Sequence, residues 1–331
     1  MKDLNVLVTG GAGYIGGLTT DCLLESGANV KVYDNILYED RYLKDVNFVN
    51  GDVRDVDKLL KEAEGYDVVV LMGALVGDEA CEVNQKLTKE INFDSIKEIC
   101  ERLPLDKHII FMSTCSVYGA QNDLLTEESD TNPLSWYAAT KLKSEKYVIE
   151  RGGTIFRLGT VFGLGDSYSR VRLDLVVNIL TMRALKHKEI TIYGGEQWRP
   201  IIAVKDIAEY VKEACYEQYG GNYIISSENV MIRDLGERVV NVIEGTKINY
   251  TDISFQDARN YRVDNSKSMK TFRYRPSVSV EDEVERMYLM FKEGRIKNPE
   301  DIVYHNGNYL RTNLNPRIVL WTNILYIISI I

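Results

Sequence analysis

Tyr137 and Lys141 stand four residues apart in Tyr137-Ala138-Ala139-Thr140-Lys141, a spacing that sets a phenol and an ammonium on one helix face. A phenol with a pKa of about 10 is a poor base at neutral pH. Two unit charges ~4 Å apart interact by about 4 kcal/mol at an effective dielectric of 20. That is enough to move a pKa by roughly three. Lys141, together with the positive ring of a bound nicotinamide, is therefore expected to bring Tyr137 toward neutrality. There the phenolate can take a proton from a substrate hydroxyl while hydride leaves the same carbon. A third group belongs with them. Thr114 lies in Ser113-Thr114-Cys115-Ser116-Val117-Tyr118-Gly119, just after an apolar run, and offers a hydroxyl to bridge substrate and phenol.

Such a pair needs a hydride acceptor, and the start of the chain supplies a place for one. Gly10-Gly11-Ala12-Gly13-Tyr14-Ile15-Gly16 follows the apolar strand pattern Leu4–Thr9 and leads into a helical stretch from Leu18 to about Ser26. Glycines there let the backbone turn sharply and approach a pyrophosphate, and the helix N-terminus offers free N–H groups to the anion. Gly10, Gly13, Tyr14, Ile15 and Gly16 are thus the phosphate-side candidates. Asp34 closes the second strand, where a carboxylate accepts hydrogen bonds from ribose hydroxyls and repels a 2′-phosphate. This favours NAD over NADP, with Asn35 beside it. Asp52 and Val53, after the third strand, are the adenine-side candidates.

The elements that must position these groups alternate. Strands are expected at Asn29–Asp34, Asn47–Asn50, Val68–Met72, His108–Ser113 and Thr154–Leu158, with helices at Val56–Glu64, Leu87–Arg102 and Trp136–Glu150. Nearly all-apolar strands mean burial on both faces, hence an α/β fold with a doubly wound parallel sheet. The second half is less regular. Helices are expected at Leu173–His187, Val204–Tyr219, Ile232–Ile243 and Val280–Lys292, and strands at Glu189–Tyr193 and Asn222–Ile225. The expected division is a dinucleotide-binding part over 1–165, with return segments about 204–226, and a smaller interleaved substrate-binding part over 166–310. Residues 311–331 form an apolar tail. Its run Ile318–Ile331 is shorter than the roughly 20 residues a bilayer span needs; a short anchor and an edge packed on a partner are the alternatives to an extension with no role in the chemistry, and no membrane partner is expected.

Composition narrows the class. A formal net charge of −9 gives nucleic acid little to hold. Five cysteines in wide spacing, without Cys-x-x-Cys, point to a reducing cytoplasm rather than a disulfide or zinc framework. Three scattered histidines give no metal-ligand pattern, so no metal is expected. The chain opens directly on a strand pattern, and no signal peptide is expected.

Together these motifs resemble the extended short-chain dehydrogenase/reductase family, in particular its NAD-dependent nucleotide-sugar epimerases and dehydratases, over about residues 3–293. The matching segments are Thr9-Gly10-x-x-Gly13-x-x-Gly16, Asp34, Gly51-Asp52, Ser113–Gly119, Tyr137-x-x-x-Lys141 and Arg157-Leu158-x-x-Val161-Phe162-Gly163. The resemblance implies a Rossmann sheet and a catalytic triad of Thr114, Tyr137 and Lys141. It also implies that Met72-Gly73-Ala74 passes the nicotinamide ribose, and that homodimers form through the helices at 87–102 and 136–150. Gly195-x-x-x-Arg199-Pro200-Ile201-Ile202-x-Val204-x-Asp206 also matches, and its arginine implies that Arg199 meets a nucleotide diphosphate. Arg259 or Arg262 would give a second clamp. Arg172-Leu173-Asp174-Leu175-Val176-Val177-Asn178 is similar to a subgroup that includes GDP-heptose C4 dehydrogenases, which adds Arg172 and Asn178 as substrate candidates. The 4,6-dehydratases carry Asp and Glu directly after the catalytic Thr. Here Cys115 and Ser116 stand there, which disfavours dehydration. The implied reaction is hydride transfer at C4 of a nucleotide-diphosphate sugar, giving epimerisation or net oxidation. The alternatives are 4-ketoreduction and a non-catalytic NAD-binding scaffold.

Overall fold

Chain order runs β1 (Asn5–Thr9), α1 (Tyr14–Glu25), β2 (Asn29–Asp34), β3 (Asn47–Asn50), α2 (Val56–Glu62), β4 (Val68–Leu71), α3 (Asp78–Val83), α4 (Gln85–Lys89) and α5 (Ser95–Arg102). It continues through β5 (His108–Thr114), β6 (Ala120–Leu125), α6 (Trp136–Glu150), β7 (Thr154–Leu158), β8 (Thr160–Phe162), α7 (Val176–His187) and β9 (Glu189–Tyr193). Next come β10 (Trp198–Ala203), α8 (Val204–Glu217), β11 (Gly221–Ile225), β12 (Glu228–Met231), α9 (Ile232–Val242) and β13 (Lys247–Thr251). The last elements are β14 (Asn260–Val263), α10 (Ser266–Thr271), α11 (Val280–Lys292) and α12 (Asn306–Asn313). The computed structural model describes residues 4–251 and 260–313. The apolar run Ile318–Ile331 lies outside them.

Seven parallel strands form the main sheet in the order β11-β7-β5-β4-β1-β2-β3. From β1 the chain winds outward through β2 and β3, then returns to β4 and winds the other way. The β1/β4 junction is therefore the point where the order reverses, and ligands bind outside the strand C-termini there. Alternate residues of β1 face opposite layers. Val6 and Val8 pack with Ile207, Tyr210 and Val211 of α8, while Leu7 packs with Leu59, Ile99 and Val148 from α2, α5 and α6. Burial on both faces explains why β4 and β7 carry no exposed position. A second core joins α7, α9 and α11 through Val177, Leu180, Leu235, Val239, Val284 and Met287.

Two elements differ from the expected pattern in ways that bear on the site. Helix α1 begins at Tyr14 rather than Leu18, because the glycine turn is itself its first turn. A Cβ on Gly16 would collide with the Gly10 carbonyl oxygen, and one on Gly17 would stand 2.6 Å from the Asp166 carboxylate. Close packing there outweighs the poor helix propensity of glycine. The helix expected over 87–102 is broken into α4, a π-helical turn at Glu90–Asp94 and α5. Asn92, inside that turn, accepts from the Leu75 N–H at 2.9 Å and donates to the Leu75 carbonyl at 2.8 Å. Its own carbonyl accepts from Ser144 Oγ of α6 at 2.8 Å. The turn thus ties the loop after β4 to the helix that carries Tyr137. Strands β6, β8, β10, β12, β13 and β14 were not anticipated. They pair in three small sheets, where neighbours rather than local apolar periodicity hold them. No helix among the described residues is long and apolar enough to cross a membrane.

Candidate active site

One cavity at the β1/β4 junction is lined by every cofactor and catalytic candidate: Gly10, Gly13, Tyr14, Ile15, Gly16, Asp34, Asn35, Asp52, Val53, Met72, Gly73, Ala74, Thr114, Tyr137 and Lys141. The C-terminal ends of the parallel strands put them there. Gly10 has φ +70°, and a Cβ on it would lie 2.6 Å from the Gly73 N atom. Only glycine fits that left-handed, crowded position. Thr9 Oγ1 accepts from the Met72 and Gly73 N–H groups at 3.1 and 3.2 Å, which fixes the loop after β4 against the turn. Gly13 is the N-cap of α1 without a side-chain cap, and the first turn holds no acidic residue. The cradle that a Cβ would fill and the acid-free helix start both fit a dinucleotide pyrophosphate. Tyr14 donates to the Gly163 carbonyl at 2.6 Å.

Asp34 accepts from the Ala12 N–H at 3.0 Å and the Ile36 N–H at 2.7 Å. Burial raises its carboxyl above the usual range, against the opposing pull of those N–H groups. Asp52 behaves differently. Burial pushes it up, but Arg54 outweighs burial with bonds from N, Nε and Nη2 at 2.9, 2.9 and 2.7 Å, and holds the carboxyl low. The Asp52 side chain is thus committed to Arg54 while Val53 packs beside Gly73.

At the other end, β5 stops at Thr114, whose Oγ1 caps the following 3-10 turn by accepting from the Ser116 N–H at 3.1 Å. Helix α6 is capped by Ser135, with Oγ accepting from the Ala138 N–H at 3.2 Å. Tyr137 is its second residue and Lys141 follows one turn later. The protein's own groups set the Tyr137 phenol as follows. Burial raises the phenol well above its ordinary value, and the nearby Cys81 and Asp78 add to this. The charge of Arg172 and the nearby Thr114 side chain pull the other way. Lys141 stands one helical turn further on and lines the same cavity. Its Nζ lies 4.7 Å from the centroid of the Phe111 ring, and burial lowers its pKa to about 8.

That lowering has a sign. Between pH 8 and the unfolded lysine value of about 10.4, the unfolded chain binds the extra proton, so stability rises with pH through that window. Urea unfolding of wild type and Lys141→Met is expected to show a difference that grows in favour of wild type by about 2 kcal/mol from about pH 7.5 to about pH 9.5. A flat difference would mean that Lys141 keeps its proton in the fold.

The five substrate candidates separate. Arg172 lines the cavity, with Nε donating to Asp174 Oδ1 at 2.8 Å. Asn178 does not line it. Its buried amide brackets Gly163, accepting from the N–H and donating to the carbonyl, both at 2.9 Å, and donates to the Arg172 carbonyl at 2.8 Å. It is a brace rather than a ligand, because both ends of its amide are spent on backbone. Arg199 is buried on β10, donates to the Trp198 carbonyl at 2.9 Å, and is not among the cavity-lining residues. Arg262 is exposed on β14, 5.5 Å from the Trp198 ring centroid, while its neighbour Tyr261 lines the cavity instead. Arg259 lies outside the described residues. The sequence reading passed over Tyr38, Asp78, Arg170 and Asn306, all of which line the cavity. The two-residue spacing of Arg170 and Arg172 was a usable signal for the former; Asn306 had none, since α12 reaches the site only through the fold. Among the described residues no group of His, Cys, Asp and Glu could hold a metal ion.

The sequence model of the NAD dependent epimerase/dehydratase family matches residues 6–225. A UDP-glucose 4-epimerase of Corynebacterium glutamicum is 29% identical over 210 residues, covering 59% of this chain and 63% of its own length, so the chain spans under two thirds of that relative. A UDP-N-acetyl-alpha-D-glucosaminuronate decarboxylase of Bacillus cytotoxicus is 25% identical over 317 residues, covering 87% of this chain and 97% of its own. The solved structure of Thermus thermophilus UDP-glucose 4-epimerase in complex with NAD is similar in fold, with a TM-score of 0.74 at 24% identity, over 87% of this chain and 99% of that one.

Proposed function

Because the chain belongs to the NAD dependent epimerase/dehydratase family, we propose that it oxidises C4 of a nucleotide-diphosphate sugar and returns the hydride to the other face, a net epimerisation. The observation that carries this reading is the meeting of Thr114, Tyr137 and Lys141 with the glycine turn and Asp34 in one cavity. NAD held by the turn, Asp34 and the loop Met72–Ala74 supplies the hydride acceptor. Tyr137 takes the C4 hydroxyl proton, and Thr114 bridges the hydroxyl to the phenol. Thr114 and the Arg172 charge favour the phenolate against the cost of burial. Lys141 serves as a donor to a ribose hydroxyl and adds its charge beside the phenol.

Epimerisation is preferred to dehydration for a local reason. Directly after Thr114, the Cys115 thiol is fully buried, donates to the Arg157 carbonyl at 3.2 Å, and is raised far above the usual thiol range by burial. Ser116 does line the cavity, but a hydroxyl is a poor general acid or base at neutral pH. The test is a panel of UDP-, GDP-, CDP- and dTDP-sugars with NAD, read by absorbance near 340 nm and by the stereochemistry of the product. Inverted sugar without lasting NADH is the expected result. Lasting NADH would instead mean net oxidation, and consumption of NADH by a 4-keto sugar would mean ketoreduction. No hydride exchange with any sugar overturns the catalytic reading in favour of a binding scaffold.

A further inference from the structure

Arg172 was expected to serve the sugar nucleotide, yet its surroundings belong to the dinucleotide half of the cavity. Its guanidinium carbon lies 5.8 Å from the centroid of the Tyr14 ring, and Tyr14 is part of the glycine turn. Its charge reaches three tyrosines that mark different parts of the cavity. These are Tyr14 at the turn, Tyr38 just past Asp34, and Tyr137 at the catalytic end. Arg172 lines the same cavity as all three.

The position is built rather than incidental. Asp174 Oδ1 takes Nε at 2.8 Å, and Asp174 Oδ2 accepts from the Asn306 N–H at 2.9 Å. Asn306 is itself buried and donates from Nδ2 to the Val76 carbonyl at 3.0 Å. Arg170 donates to Asn306 Oδ1 and lies with its guanidinium 3.9 Å from the centroid of the Tyr38 ring. The Arg172 carbonyl is held by Asn178. Among the described residues, neither Nη of Arg172 has a hydrogen-bond partner.

We infer that Arg172 binds the pyrophosphate of the dinucleotide, adding a cation to the anion site at the N-terminus of α1. Asp174, Asn178 and Asn306 are its positioning residues. A guanidinium offers paired N–H donors to phosphate oxygens, and a helix N-terminus with no acid in its first turn completes the charge balance. This rests on the NAD reading above, but a nucleotide sugar also carries a diphosphate, so the two sources must be told apart.

Arg172→Gln, titrated calorimetrically with four ligands, does so. NAD and ADP-ribose, which carry the pyrophosphate, are expected to bind roughly tenfold more weakly than to wild type, while adenosine and UDP-glucose stay within about twofold. NAD affinity within about twofold of wild type overturns the inference. So does a tenfold loss confined to UDP-glucose, or an equal loss for adenosine. Should Arg172→Gln not fold by circular dichroism, Arg172→Lys reads the same question. Its NAD affinity must fall by about threefold or more, since an ammonium lacks the fork, and wild-type affinity overturns the inference. Should neither fold, phenylglyoxal labelling of the native protein must show Arg172 protected by NAD; protection by UDP-glucose alone overturns it. Wild type that binds NAD while Arg172→Gln is indifferent sinks only this inference, whereas wild type that binds no NAD sinks the reading beneath it.

Discussion

Tyr137→Phe is expected to lower kcat about 10³-fold on the nucleotide sugar that the panel selects, and to leave NAD affinity within about threefold of wild type. The phenyl ring keeps the packing of a partly buried residue, so what is lost is the oxygen proposed to exchange a proton with the substrate. The size follows from the role. General acid–base groups contribute on the order of 10²–10⁴, and among the causes acting on the Tyr137 phenol is the Thr114 side chain. Turnover within about tenfold of wild type would remove Tyr137 from the chemistry. Asp78 would then be the next residue to replace, since it lines the cavity and acts on the same phenol. Single-turnover measurement separates the two effects, because a loss in hydride transfer with unchanged NAD binding is a loss made only in the transition state.

Glu145→Leu is expected to destabilise the fold by about 3–5 kcal/mol, read as a fall in the urea midpoint, and Glu145→Leu with Arg157→Met to recover more than half of that loss. Glu145 and Arg157 are both nearly buried, at 6% exposure each. They form a two-pronged pair, Nε to Oε1 at 3.0 Å and Nη2 to Oε2 at 2.7 Å. Ser113 Oγ donates to the same Oε1 at 2.5 Å, and Arg157 Nη1 reaches the Tyr118 hydroxyl at 2.8 Å. Removing the carboxylate alone strands a buried cation, which is costly, whereas removing both charges leaves an apolar site. The network also has a task. Glu145 sits two turns after Tyr137 on α6, Ser113 directly precedes Thr114 on β5, and Arg157 lies on β7. The pair therefore sets α6 against the strand end that holds Thr114. A double variant no more stable than Glu145→Leu would show that the cost lies in lost packing rather than in the stranded charge.

What the residues alone determined is what depends on nearest neighbours along the chain. Gly10 to Gly16 between a strand and a helix, Asp34 at the end of the next strand, and Tyr137 with Lys141 one turn apart on α6 all act through local geometry. A parallel sheet then brings those strand ends to one edge whatever the rest of the chain does. Trp136–Glu150 and Asn29–Asp34 have the expected bounds for the same reason: a Ser135 cap and an alternating apolar pattern are local signals. Tertiary structure decided everything that depends on summed surroundings. Burial raises the Tyr137 phenol, and the packing around it comes from Leu75, Ala80, Cys81 and, across the whole fold, Leu310. Arg172 and Asn178 lie six residues apart in one motif, yet one faces the cavity and the other braces backbone. Asn306 enters the site from the last described helix, across the whole fold. Desolvation and long-range contact have no period or spacing in a sequence, because they exist only once distant segments share the same space.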